Sequence, residues 1–191
     1  MLDKIKNYFF RRFIQSKTDY AVIVRHPTNY QNARSFGILV EAGNDESRAA
    51  AVRYAEVLRK DGKNVDIRGF VNTNDPIENF PFKAWNKKML TWFGALKEEA
   101  AGQFWNTQYD FLIHLNNTSS TQLAGLAAIS RAHLRIGAYH SDSTDSYDLM
   151  IDTGGSSDIN HLIGQIDFYM KRVNTEYKSN ASLVKKVAKN E

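Results

Sequence analysis

The sequence predicts an α/β protein, a three-layer Rossmann-like (flavodoxin-like), mostly parallel sheet of about five strands. Three observations carry that reading. Tyr109 to Gly137 reads as strand, polar turn, helix and second strand, a complete βαβ unit. Residues 35–71 give a strand, a helix and a strand before it. The strand segments SFGILVE and FLIHL are nearly unbroken apolar runs, as in strands covered on both faces.

In chain order, Leu2, Ile5, Phe9, Phe13 and Ile14 recur at helical spacing, while Lys4, Lys6, Arg11, Arg12 and Lys17 fall mostly elsewhere. Residues 1–34 are therefore read as a basic amphipathic helix and a connector. Such a helix attaches to an anionic surface by apolar insertion, with about 1 kcal/mol per basic residue near the headgroups. Its commoner fate is to pack on the protein's own sheet or on a second subunit. Tyr20 to Val24 is expected as a short edge strand, and Ser35 to Glu41 as the first central strand. A helix from Ser47 to Lys60 places Ala51, Tyr54, Ala55 and Leu58 on one face, with Asp45 and Glu46 where its dipole favours negative charge. Gly62 stops it, and Val65 to Val71 is the second strand.

Residues 72–108 break the pattern as an insertion holding Trp85, Trp92 and Trp105, with Glu98 to Trp105 helical. Its aromatics form either a satellite core at one sheet edge or a lid or partner-docking surface. Beyond Gly137, Tyr139 to Tyr147 is a polar loop and Asp148 to Asp152 a last strand. TGGSS at Thr153 to Ser157 then opens a helix whose Ile159, Leu162, Ile163, Ile166, Met170 and Val173 share a face. The α/β domain is thus drawn over 35–175, with a basic flexible tail at 176–191.

Charge is partitioned. Residues 1–34 carry Lys4, Lys6, Arg11, Arg12, Lys17, Arg25 and Arg34 against Asp3 and Asp19, and residues 171–191 are basic as well. The intervening body is acidic, within a net charge of +4. Basic ends suit a ribosome, nucleic acid or an anionic membrane surface, though solvated tails share the composition. The absence of cysteine excludes disulfides, thiolate catalysis and cysteine-ligated metals. The first residues are too interrupted by charge for a signal peptide, and no apolar run approaches a membrane span, so a cytoplasmic location is expected.

Parallel sheets bind ligands beyond the carboxyl ends of their strands. Four loops are expected there, Gly43 to Ser47, Asn116 to Thr121, His140 to Asp145 and Thr153 to Ser157. The ligand-binding candidates are Asn44, Asn116, Asn117, Ser119, His140, Thr153, Gly154, Gly155 and Ser156, offering hydroxyls and N–H groups to an anion. Serine and glycine at a helix start are more often plain caps, and no glycine-rich phosphate motif is present. His140, Asp142 and Ser119 or Ser120 assemble into a triad only on paper, since there is no GxSxG elbow. Asp142, Asp145, Asp148 and Asp152 lack calcium-loop spacing. No catalytic residue, metal or cofactor is assigned, and His114 is read as a half-buried strand residue. Partner-binding candidates are Lys4, Lys6, Arg11, Arg12, Trp85, Trp92, Lys185 and Lys186.

The segments SFGILV, NKKMLTWFG, YDFLIHL, SRAHLRIGAY and YDLMID resemble, in order, a bacterial domain-of-unknown-function family of small proteins. That resemblance covers most of residues 1–175 and implies one Rossmann-like domain with no assigned activity. YDFLIHL and LRIGAY are also similar to the first domain of heptosyltransferase-type glycosyltransferases, whose nucleotide-sugar sits mainly on a second domain for which this chain is too short. The expected function is a non-enzymatic binding or assembly module, with a homodimer among its candidate states. The alternative is a small-molecule or nucleotide-binding domain using the strand-end loops.

Overall fold

A computed structural model describes residues 2–20, 28–115 and 120–172. Among these residues the sheet has six strands, β1 (Ser35–Glu41), β2 (Asn64–Val71), β3 (Lys83–Asn86), β4 (Phe111–Leu115), β5 (Leu134–Ala138) and β6 (Leu149–Ile151). They lie in the order β3-β2-β1-β4-β5-β6, and every pairing is parallel. The helices are α1 (Leu2–Tyr20), α2 (Asp45–Lys60), α3 (Glu98–Asn106), α4 (Thr121–Ile129) and α5 (Ile159–Met170).

The expected fold is present with one more strand. The extra strand is β3, the four residues KAWN inside the Trp-rich insertion, paired with β2 from Arg68↔Lys83 to Val71↔Asn86. Its pattern of one exposed, one half-buried and two buried residues has no apolar run, because an edge strand needs none. Adding it outside β2 makes the order that of the doubly wound dinucleotide fold rather than the flavodoxin order. Tyr20, read as the start of a strand, instead ends α1, and residues 21–24 lie outside the described residues.

Alternation along the central strands divides the core in two. Phe36, Ile38 and Val40 of β1, with Phe111, Ile113 and Leu115 of β4, face α2 and α5. Leu39, Leu112 and Phe70 face α3 and α4. Helix α4, sequence TQLAGLAAI, is buried from Leu123 through Ile129 without a polar side. A helix apolar all round must be covered on two sides. The sheet covers one side and α1 the other, so α1 forms an additional layer.

Gly125 makes that contact possible. A Cβ there would lie 2.5 Å from Cζ of Phe10 and 3.1 Å from Cδ1 of Ile14. Between α1 and α4 there remains a void of only about 10 Å³. Lys17 adds an ion pair with Glu98 at 2.8 Å and lies over the rings of Phe13 and Trp105. Glu98 is largely exposed, so that pair contributes little beside the apolar packing. Substituting Gly125→Val should force α1 off α4, a repacking cost of about 1–3 kcal/mol. The expected result is a melting temperature lower by roughly 2–4 °C per kcal/mol and new proteolytic cleavage within residues 2–20. An unchanged melting temperature and digestion pattern would refute this account of the docking.

Candidate functional site

The order of the sheet reverses between β1 and β4, and a set of polar side chains gathers at the carboxyl ends of these strands. Glu41 is the last residue of β1 and His114 the penultimate residue of β4. Both continue the rows that face α4, beyond Leu39 and Leu112 respectively. Ser120 caps α4. Its hydroxyl donates to Oε1 of Glu41 and accepts from the Leu123 N–H at 3.5 Å. Burial raises the pKa of the Glu41 carboxyl, and the Ser120 hydrogen bond opposes the rise.

His114 is buried, and its Nδ1 lies 2.5 Å from Oη of Tyr147. The Tyr147 ring reaches that position only because residue 137 is glycine, where a Cβ would stand 2.7 Å from the ring. Burial pushes the Tyr147 phenol well above its ordinary range. Burial, reinforced by the neighbouring His140, lowers His114 to about 3, so its imidazole is neutral at physiological pH. The Nε2 atoms of His114 and His140 are both buried and have no hydrogen-bond partner among the described residues. An unsatisfied buried polar atom costs about 1–3 kcal/mol. Such deficits concentrate where a ligand supplies the missing partner.

Among the described loop residues expected here, His140 joins the cluster and the others do not. Asn44 caps α2, its side chain accepting from Ser47 N–H at 2.8 Å. Thr153 to Ser156 follow β6, at the far edge of the sheet, two strands from β4. They form a turn rather than a helix start. Gly154 and Gly155 take φ of 60° and 80°, Gly154 N–H donates to Asp152, and α5 begins only at Ile159 with Asp158 as its cap. Within it Ser156 N–H donates to Thr153 O and Asp158 N–H to the Ser156 hydroxyl. Asn116, Asn117 and Ser119 lie outside the described residues. Asp148 pairs with Arg135, and among the described residues no three His, Asp or Glu side chains are grouped to hold a metal.

Glu41, Tyr147 and the role of His114 were missed from sequence. The available signal was a single polar residue near the carboxyl end of an otherwise apolar parallel strand, in SFGILVE and in FLIHL. The larger hollows lie elsewhere, about 410 Å³ at the amino ends of β1 and β2 and about 510 Å³ beside β3. In the first, Lys63 already donates to the carbonyls of Tyr30 and Ala33, and Tyr109 to Asp66. Size alone is outweighed by the unpartnered imidazoles.

A second feature is on the outside of α1. Phe10, Phe13 and Ile14 face α4, whereas Leu2, Ile5, Tyr8 and Phe9 are exposed. Trp92 is 59% exposed and its ring centroid lies 5.0 Å from that of Phe9. Lys4, Arg11 and Arg12 are exposed and Lys6 half-buried. Trp85, the other tryptophan expected to meet a partner, is instead core, with its indole N–H donating to Ala100 O at 3.0 Å. β3 places it opposite Phe70, under α3, where burial is the favourable position for a large apolar ring. Lys185 and Lys186 lie outside the described residues.

Doubly wound order, helices on both faces and a polar cluster at the switch point define a Rossmann-like α/β protein. The chain belongs to DUF6913, a family of unknown function, which matches residues 6–173. No curated protein matches it. No helix among the described residues is long and apolar enough to cross a membrane.

The Glu41 environment has a pH signature. With its folded pKa raised above the ordinary 4.5, the folded state holds the proton more tightly than the unfolded one. Stability is therefore greatest below 4.5 and falls as pH rises through the raised value. Glu41→Gln, which keeps an acceptor for Ser120, should raise the melting temperature near neutral pH by a few degrees and leave it unchanged in acid. A variant that melts lower near neutrality would show that the carboxylate is stabilised by a charge partner instead.

Proposed function

We propose that this protein is a non-enzymatic binding module that docks on an anionic membrane surface through α1 and Trp92. One observation carries the reading. α1 bears two apolar stripes; α4 occupies the first, while Leu2, Ile5 and Phe9, extended by Trp92, leave the second facing solvent. Lys4, Arg11 and Arg12 are exposed on the same helix. A face with an apolar strip, an interfacial tryptophan and a basic rim matches the boundary between acyl chains and acidic headgroups.

Complementarity of charge favours this occupant over the others. A second copy would bring the same basic residues against one another, which is repulsive. A nucleic acid would satisfy the cations but would leave Leu2 and Ile5 without an apolar partner. Insertion contributes on the order of 1 kcal/mol for each half-exposed apolar side chain, and each basic residue near the headgroups about 1 kcal/mol. The basic residues of 171–191 add to the attraction at long range.

The test is co-sedimentation of the full chain with vesicles of phosphatidylcholine alone or mixed with phosphatidylglycerol, at low and high salt. Binding is expected on the anionic vesicles only, weakened by salt. The double variant Phe9→Asp, Trp92→Ala should abolish it, and Arg11→Ala should weaken it about fivefold. Equal binding to neutral vesicles, no binding at low salt, or a preference for RNA over vesicles would overturn the proposal.

A further inference from the structure

We propose that the carboxyl ends of β1, β4 and β5 form a binding site for a small oxyanion, a carboxylate or phosphate monoester, received by Nε2 of His114 and Nε2 of His140 beside the first turn of α4. The inference is independent of docking by α1, which lies on the outer side of α4.

Both imidazole nitrogens are buried and unpartnered among the described residues. Two unsatisfied atoms of one chemical kind, from neighbouring strand ends, are better explained by one missing ligand than by two separate defects. The place is also where the fold supports ligand binding, at the reversal of strand order and by the N-terminus of a helix nine residues long.

Tyr147 decides what kind of ligand is recognised. Its hydroxyl lies 2.5 Å from Nδ1 of His114, burial keeps it a phenol rather than a phenolate, and in the proposed site this phenol is the donor of the pair. With Nδ1 accepting, the neutral ring carries its proton on Nε2. That atom is then a donor, suited to an oxygen acceptor and not to a metal, which requires the lone pair. No third His, Asp or Glu stands with the pair to complete a metal shell among the described residues. The nearby acid is held by the protein itself. Glu41 is tied to Ser120 and is shifted by burial toward its protonated form. Arg135, on the same face of the sheet, is engaged by Asp148 and by the carbonyls of Ala127 and Ala128 at the other end of α4. Discrimination therefore rests on the two imidazoles.

The experiment is a titration of the 15N-labelled full chain with inorganic phosphate and, separately, with acetate, followed by the imidazole N–H and backbone amide signals. Saturable shifts at His114 and His140 with either anion are expected, and which anion binds more tightly identifies the phosphate or the carboxylate source. Tyr147→Phe, which releases the tautomer, and His140→Ala should each weaken binding about tenfold or more, the loss of one hydrogen bond to a charged group. His161→Ala, exposed on α5, should bind as the parent does. No saturable shift with either anion overturns the proposal. So does equal weakening by His161→Ala, or a response of the two histidines to zinc chloride alone.

Discussion

Helix α4 has no polar side, and much of the molecule is arranged by that fact. A nine-residue helix buried from Leu123 through Ile129 cannot rest on a sheet with its other face in water. Covering it requires a second helix, and Gly125 lets Phe10 and Ile14 of α1 approach closely enough to do so. The N-terminal segment is thus bound into the fold by the apolar character of a helix more than a hundred residues later. The same contact turns the rest of α1 outward.

That outward face and the strand-end cluster reflect one helix used from two directions. On its inner side α4 presses on the row ending in Glu41 and His114, and its cap Ser120 fastens to Glu41. On its outer side it holds α1 in the orientation that exposes Leu2, Ile5 and Phe9 beside Trp92. The two surfaces differ in chemistry. One is dry, with the neutral His114 imidazole and the Tyr147 phenol, whose pKa values are displaced by burial. The other is wet, and its charges act through solvent.

The polar residues at the switch point are held by small residues as much as by bonds. Gly137 leaves the space in which the Tyr147 ring lies, and the ring carries its hydroxyl to Nδ1 of His114. Between β5 and β6 the chain makes a short 3-10 segment, Ser141–Ser146, that packs against α4 and delivers Tyr147 to this position. A polar loop thereby supplies a buried aromatic side chain. Its sequence, rich in serine and aspartate, gives no local sign of that role.

By itself the sequence determined the class of fold and most of its elements. Unbroken apolar runs such as FGILV suit strands covered on both faces, and α2 between two of them carries its own cap and apolar stripe. These are local signals, expressed within a few residues. What only the tertiary structure decided depends on partners distant in the chain. The four residues of β3 gain strand geometry from β2, Trp85 and Trp92 are divided between core and surface, and His114 acquires its neighbours from β5 and the following loop. An edge strand, an exposed ring and an unsatisfied nitrogen are each defined by what lies across from them, and periodicity along the chain carries no record of it.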